Sequence, residues 1–208
     1  MYTPKLYDNP DTAAIRRFID RNPFAVLVSA ACGHAPLATH LPLILEADEQ
    51  GGEILIGHLS KANPQWQSWT DNDRVLAIFS GPHHYISSSW YGHVNVPTWN
   101  YIAVHLYGQI RLLDDEATFQ AVRRLMDRYE SPDSSPVSMD KLPPNMIGRE
   151  MRGVVGFKIS VEEVQAQWKL SQNRNDEDHA RIVEELLRLQ DEQARALAAA
   201  MQENRPKQ

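Results

Sequence analysis

With 208 residues, 42% of them hydrophobic, and a formal charge of -6, the chain can bury one substantial core, or two small ones, and lacks the basic field that a non-specific nucleic-acid binder needs. Its one cysteine, Cys32, can form no internal disulfide, which fits a reducing compartment. The opening MYTPKLYDNPD has no apolar signal core, and no segment approaches the roughly 18 consecutive apolar residues of a membrane span. These features point to a soluble, cytoplasmic protein with no membrane association.

The first predicted element is a short helix from Asp11 to Asp20, with Ile15, Phe18 and Ile19 on one face and Pro23 beyond its end. Ala25–Ser29 reads as a strand, with a turn at Gly33. Leu37–Leu45 alternates and reads as one strand. Gln50-Gly51-Gly52 makes a hairpin turn into a strand over Glu53–His58. Asn63 suits a helix N-cap and Pro64 the first helical position, ahead of a helix that carries Trp66 and Trp69.

Val75–Phe79 reads as a buried strand, followed by a loop over Gly81–Gly92 and a long strand over Trp99–Leu112. A helix over Asp115–Tyr129 presents Phe119, Val122, Leu125 and Met126 inward. Ser131–Pro144 is rich in Pro and Ser and reads as irregular. Val154–Val161 and Val164–Leu170 return to strand patterns. A single helix from Asp176 to Asn204 closes the chain, with Val183, Leu186, Leu187, Leu197 and Met201 on its apolar side. The fold class is mainly β with flanking α-helices, a β-barrel domain over residues 1–175 with a C-terminal helix over 176–208 packed on it.

Four segments carry chemistry. Trp99–Leu112 has one apolar face of Ile102, Val104, Leu106, Ile110 and Leu112. Its other face, with Trp99, Tyr101, His105, Tyr107, Gln109 and Arg111, is aromatic and hydrogen-bonding, as befits a subunit interface or a planar ligand. Ser60-Lys61 ahead of the Asn-Pro start offers a cation beside free backbone N–H groups, a seat for phosphate or a plain cap. Lys169-Leu170-Ser171-Gln172-Asn173-Arg174 packs two cations, two amides and a hydroxyl into six residues, suited to an anionic or heteroaromatic ligand or to a solvated loop. Gly81–Tyr101 adds His83, His84, Trp90 and Tyr91. Adjacent histidines cannot both point into one strand-borne metal site and no carboxylate lies close in sequence, so no metal is expected. With no nucleophile elbow, metalloprotease or P-loop pattern, nucleophilic or metal hydrolysis has no local motif.

The runs ATHLPL, GHLSKANPQW, GPHHYISSSWY, VPTWNY, AVHLYG, GVVGF and KLSQNR, in this order, resemble the PaiB-type family of FMN-binding negative transcriptional regulators. The resemblance implies a split β-barrel related to pyridoxamine phosphate oxidases, working as a homodimer with FMN at the subunit interface. It implies that His58, Ser60 and Lys61 approach the flavin phosphate. Trp99, Asn100 and Tyr101 then line the flavin or the dimer seam, and Lys169, Gln172, Asn173 and Arg174 complete the pocket. His84 and Trp90 fall on the substrate side. His84 and Ser88 stand where the family pattern has Ala and Pro, which puts substrate-side detail in question. No helix-turn-helix pattern is evident, and the acidic balance weighs against direct DNA contact. Three readings follow: an FMN-binding regulatory or sensory protein, a flavin-dependent oxidoreductase, and a haem-binding or haem-degrading split barrel.

Overall fold

Seven strands form one sheet in the computed structural model, which describes residues 1–30, 35–70, 73–130 and 137–205. They are β1 (Phe24–Ser29), β2 (Leu37–Pro42), β3 (Ile44–Ala47), β4 (Glu53–Ser60), β5 (Asp73–Ile86), β6 (Thr98–Leu112) and β7 (Val154–Lys169), in the order β2-β1-β5-β6-β7-β4-β3. β1 pairs antiparallel with β2 and β5, and β4 with β3 and β7. Five helices flank the strands: α1 (Thr12–Arg21), α2 (Asp115–Tyr129), α3 (Pro144–Met151), α4 (Asp176–Arg188) and α5 (Glu192–Glu203).

The chain divides into two units. One comprises Met1–Phe18, Phe79–His105 and Gln165–Gln208, the other Ile19–Ile78 and Leu106–Val164. The second unit holds the junction that makes the barrel. β2 and β3 are the two outermost strands in the sheet order, yet only Leu43 separates them in the chain. One residue spans a few ångströms, so the two edge strands must meet at Leu43, as a curled, barrel-type sheet requires. Leu43 is fully buried, and its amide donates to Pro23 O at 2.9 Å. The expected single strand over Leu37–Leu45 is therefore two strands on opposite edges, turned by this one residue. Around it Leu27, Leu41, Leu55, Leu106, Ile110, Phe157 and Ile159 form the core.

Close approach within this unit depends on glycines. A Cβ on Gly108 of β6 would lie 2.1 Å from the Ser160 carbonyl oxygen of β7. One on Gly156 would lie 2.5 Å from Thr118 Oγ1 of α2. That contact explains why α2 buries Thr118 and Ala121, leaving the expected inward residues Phe119, Val122, Leu125 and Met126 half-buried. Only small side chains fit where the helix backbone approaches a glycine-bearing strand.

In the other unit, Ile86, Leu170, Ile182, Leu186, Leu197 and Met201 form the core. The expected long last helix is two. Asp191 interrupts it by accepting hydrogen bonds from the amides of Gln193 and Ala194, which starts α5 afresh after a three-residue break. Leu187 falls outside the packed face and is half exposed.

Other boundaries also move. β5 runs on through Gly81–Ile86, where a loop is expected. Val154–Lys169 is one strand instead of two, and Pro144–Met151 is a helix inside the segment read as irregular. Pro144 occupies the start of that helix, where its missing N–H costs nothing. The Asn63 cap is present, its side chain accepting from the Gln65 amide, but it starts a five-residue 3-10 turn over Pro64–Ser68 instead of an α-helix. Cys32, the turn at Gly33 and residues 131–136 of the irregular segment lie outside the described residues. No helix among the described residues is long and apolar enough to cross a membrane.

Candidate functional site

Alternation along β6 sets the outer surface of the site. From Asn100 to Ile110 every second residue is buried, and the residues between are half-buried, as the period of two requires. Trp99 at its start is 54% exposed. The Trp99 ring lies 6.3 Å from His83 and 6.1 Å from Tyr85, edge-on to the latter, because β5 presents His83 and Tyr85 to the same side. Ser80, Gly81, His83, Trp99, Tyr101 and Ile102 line a shallow cavity of about 370 Å3. Further along the same face, burial holds the His105 imidazole below its ordinary pKa.

Asn100 stands apart from Trp99 and Tyr101. It points to the opposite face and is completely buried, its amide donating to Ser171 Oγ at 2.9 Å while the Ser171 hydroxyl donates back to Oδ1 at 3.2 Å. This exchange anchors the segment that follows β7. Ser171 has a φ of 60°, a left-handed conformation uncommon for serine. Gln172 closes the turn on itself: Oε1 accepts from the Leu170 amide at 2.8 Å, and Nε2 donates to Trp168 O. Arg205 at the end of α5 donates to Arg174 O at 2.9 Å and to Asp176 at 2.6 Å.

The two cations of this segment are held but accessible. Lys169 Nζ donates to Thr98 Oγ1 at 2.6 Å, and burial, with Arg174 nearby, lowers its pKa. The Arg174 guanidinium lies 4.9 Å over the ring of the buried Tyr91. Asn173 is exposed. His84 faces away from His83 and stacks on Trp90, their rings 6.4 Å apart and 19° from parallel. Its Nδ1 is 2.7 Å from Tyr85 O and its Nε2 is 3.8 Å from Asp191 Oδ2.

In the other unit, the end of β4 carries His58, Ser60 and Lys61. Burial lowers the His58 pKa. Ser60 is exposed, and the Lys61 amide donates to Gly153 O at 2.8 Å. Lys61 lines a cavity of about 430 Å3 with Asp115, Thr118, Gly148, Met151, Arg152 and Val154. Arg152, Thr98 and Arg205 were not singled out from the sequence. Arg152 carries no motif, and the other two acquire their roles only through contacts distant in the chain.

Residues 1–163 match the family described as "Putative FMN-binding domain". The chain belongs to this FMN-binding family. It is 40% identical, over the full length of both chains, to the protease synthase and sporulation protein PAI 2 of Bacillus subtilis. The fold is that of split-barrel flavoproteins. Among solved structures it is similar to the FAD and heme binding protein from Mycobacterium smegmatis (TM-score 0.62, 15% identical, covering 84% of this chain and 79% of that one). It is also similar to the conserved hypothetical protein Rv2991 from Mycobacterium tuberculosis (TM-score 0.59, 12% identical, covering 84% and 94%). At such identities the likeness is one of fold.

The cofactor of the family is FMN, and the residues present fit it. FMN joins a flat heteroaromatic ring to a phosphate of up to two negative charges. Trp99 and Tyr101 line the cavity in one unit and offer an aromatic wall, and Lys61 and Arg152 line the cavity in the other and offer cations, the two kinds of group such a ligand needs. Among the described residues, no cluster of His, Cys, Asp and Glu could hold a metal ion.

Proposed function

We propose that this chain is a homodimeric regulatory or sensory flavoprotein, with FMN bound between subunits. The ring lies against Trp99 and Tyr101, the phosphate faces Lys61 beside His58 and Ser60, and Lys169, Asn173 and Arg174 complete the site. Asn100 and Gln172 act one step back, shaping the segment that carries those cations. The observation that carries this reading is the exposed indole of Trp99, with Tyr85 and the neighbouring Val94 and Val96 also open to solvent. Exposed aromatic and apolar side chains of this kind are stabilised by a partner subunit and a planar ligand.

A regulatory role is favoured over catalysis by the state of the substrate-side residues. Both nitrogens of His84 face an oxygen, and its ring is stacked on Trp90. That arrangement suits a wall better than a proton-transfer group. Sporulation in the name of the Bacillus subtilis relative is consistent with a regulator. α4 and α5 have the connectivity of a helix-turn-helix, but the exposed charges of α5 are Glu192, Arg195 and Glu203, an acidic balance. Regulation is therefore proposed to pass through the flavin or a protein partner, without direct DNA contact.

The test is NAD(P)H oxidation by the FMN-loaded protein, alongside transcript profiling of a deletion strain. Altered transcription with no turnover above free FMN supports the regulatory reading. Sustained turnover with a small acceptor, and unchanged transcripts, would replace it with an oxidoreductase.

A further inference from the structure

Lys61 and Arg152 are brought together by the last rung of the β4–β7 ladder. Ser60 is in register with Val154, and the Lys61 amide bonds to Gly153 O, so Lys61 and Arg152 both lie just beyond that rung, Arg152 next to the residue that Lys61 faces. Both line the same cavity of about 430 Å3. Among the described residues, neither is ion-paired to a carboxylate. Two cations facing one recess repel each other, and an anion of matching charge would turn that cost into attraction. The one carboxylate on the lining, Asp115, lies in the first turn of α2, where it also offsets the positive end of that helix. The recess thus retains a net positive charge, and the Thr118 hydroxyl on its wall adds a hydrogen-bonding group.

We infer that Arg152 is a second phosphate-binding residue, and that with Lys61 it forms the seat for the phosphate monoester of FMN. The inference rests on the reading that Lys61 faces the phosphate. It supplies the second positive charge that the sequence alone would assign to Lys169 or Arg174. Those two are engaged within the other unit, with Thr98 and the Tyr91 ring. A guanidinium beside an ammonium suits a phosphate dianion, because the planar fork bonds two oxygens while the lysine adds a compact charge.

The experiment measures FMN and riboflavin affinity by quenching of flavin fluorescence in the full-length chain. The proteins are wild type, Arg152→Gln, Lys61→Gln and the exposed control Arg149→Gln, each checked for an unchanged melting temperature. Inorganic phosphate serves as a competitor. The expected result is a loss of FMN affinity of about 10- to 100-fold in Arg152→Gln, with riboflavin unchanged. Phosphate should displace FMN from wild type more effectively than from Arg152→Gln, and Arg149→Gln should behave as wild type. Loss in Lys61→Gln with none in Arg152→Gln would overturn the inference and leave the Lys61 reading standing. Equal wild-type affinity for FMN and riboflavin would overturn both.

Discussion

Asn100 and Ser171, 71 residues apart in the chain, bond to each other twice in the interior. The pair holds Ser171 in its left-handed conformation and thereby sets the path of Gln172 to Arg174. Asn100→Ala would leave the Ser171 hydroxyl unpartnered and open a cavity at a completely buried position. The expected loss is about 2–4 kcal/mol of stability, read from the urea midpoint. Ser171→Gly, which relieves the backbone, should cost less. Equal stability of Asn100→Ala and wild type would show that the pair does not anchor the segment.

Gly108→Ala is expected to destabilise strongly, because its Cβ would meet the Ser160 carbonyl oxygen at 2.1 Å, a backbone atom that cannot rotate away. A cost of at least about 2 kcal/mol is expected from such overpacking. Gly148→Ala, with open space around it, is the matched control and should change little. A comparison of the two melting temperatures decides the point.

Stability should fall as the solution is acidified. His179 is 7% exposed, and burial, assisted by Arg205 and opposed by Asp176, holds its pKa below the ordinary value. Its neutral form is therefore favoured in the folded protein, and unfolding takes up a proton once the pH drops below the ordinary histidine pKa of about 6.5. The stabilisation is fully present above that value and is lost as pH falls towards the lower folded one. His58 and His105 shift in the same direction and add to the slope. His179→Gln should flatten the dependence of the urea midpoint between pH 7.5 and 5.5. An unchanged slope would assign the effect to other groups.

The proposed homodimer should bury more than about 2,000 Å2 in total, as obligate dimers do, with Trp99 and Tyr85 inside the interface. Light scattering at micromolar concentration is expected to give twice the chain mass. Trp99→Glu should shift the species towards monomer, whereas a wild-type monomer would remove the interface site.

The sequence made legible whatever depends on short-range periodicity. The two faces of β6, the core face of α1 and the Asn63 cap all follow from spacing within a few residues. Features set by distant partners were not legible. The break at Leu43 depends on which sheet edges meet, and the small-residue face of α2 depends on Gly156 beneath it. The continuation of β5 through two histidines and a proline depends on neighbouring strands. Within the candidate site, Lys61 and Lys169 stood out as charges beside turn signals. The alternation in VPTWNY already placed Asn100 on the face opposite Trp99 and Tyr101, but its partner Ser171, 71 residues away, could not be seen from that run. Arg152 became visible only when register set it beside Lys61.

The central claim is that this fold binds FMN and reads its phosphate. The direct measurement is a fluorescence titration of the purified full-length protein with FMN and riboflavin, accompanied by a visible spectrum. The account predicts saturable binding of one FMN per chain, a flavin spectrum, and FMN affinity at least about tenfold above that of riboflavin. A haem Soret band in place of a flavin spectrum, or no saturable FMN binding, would contradict it.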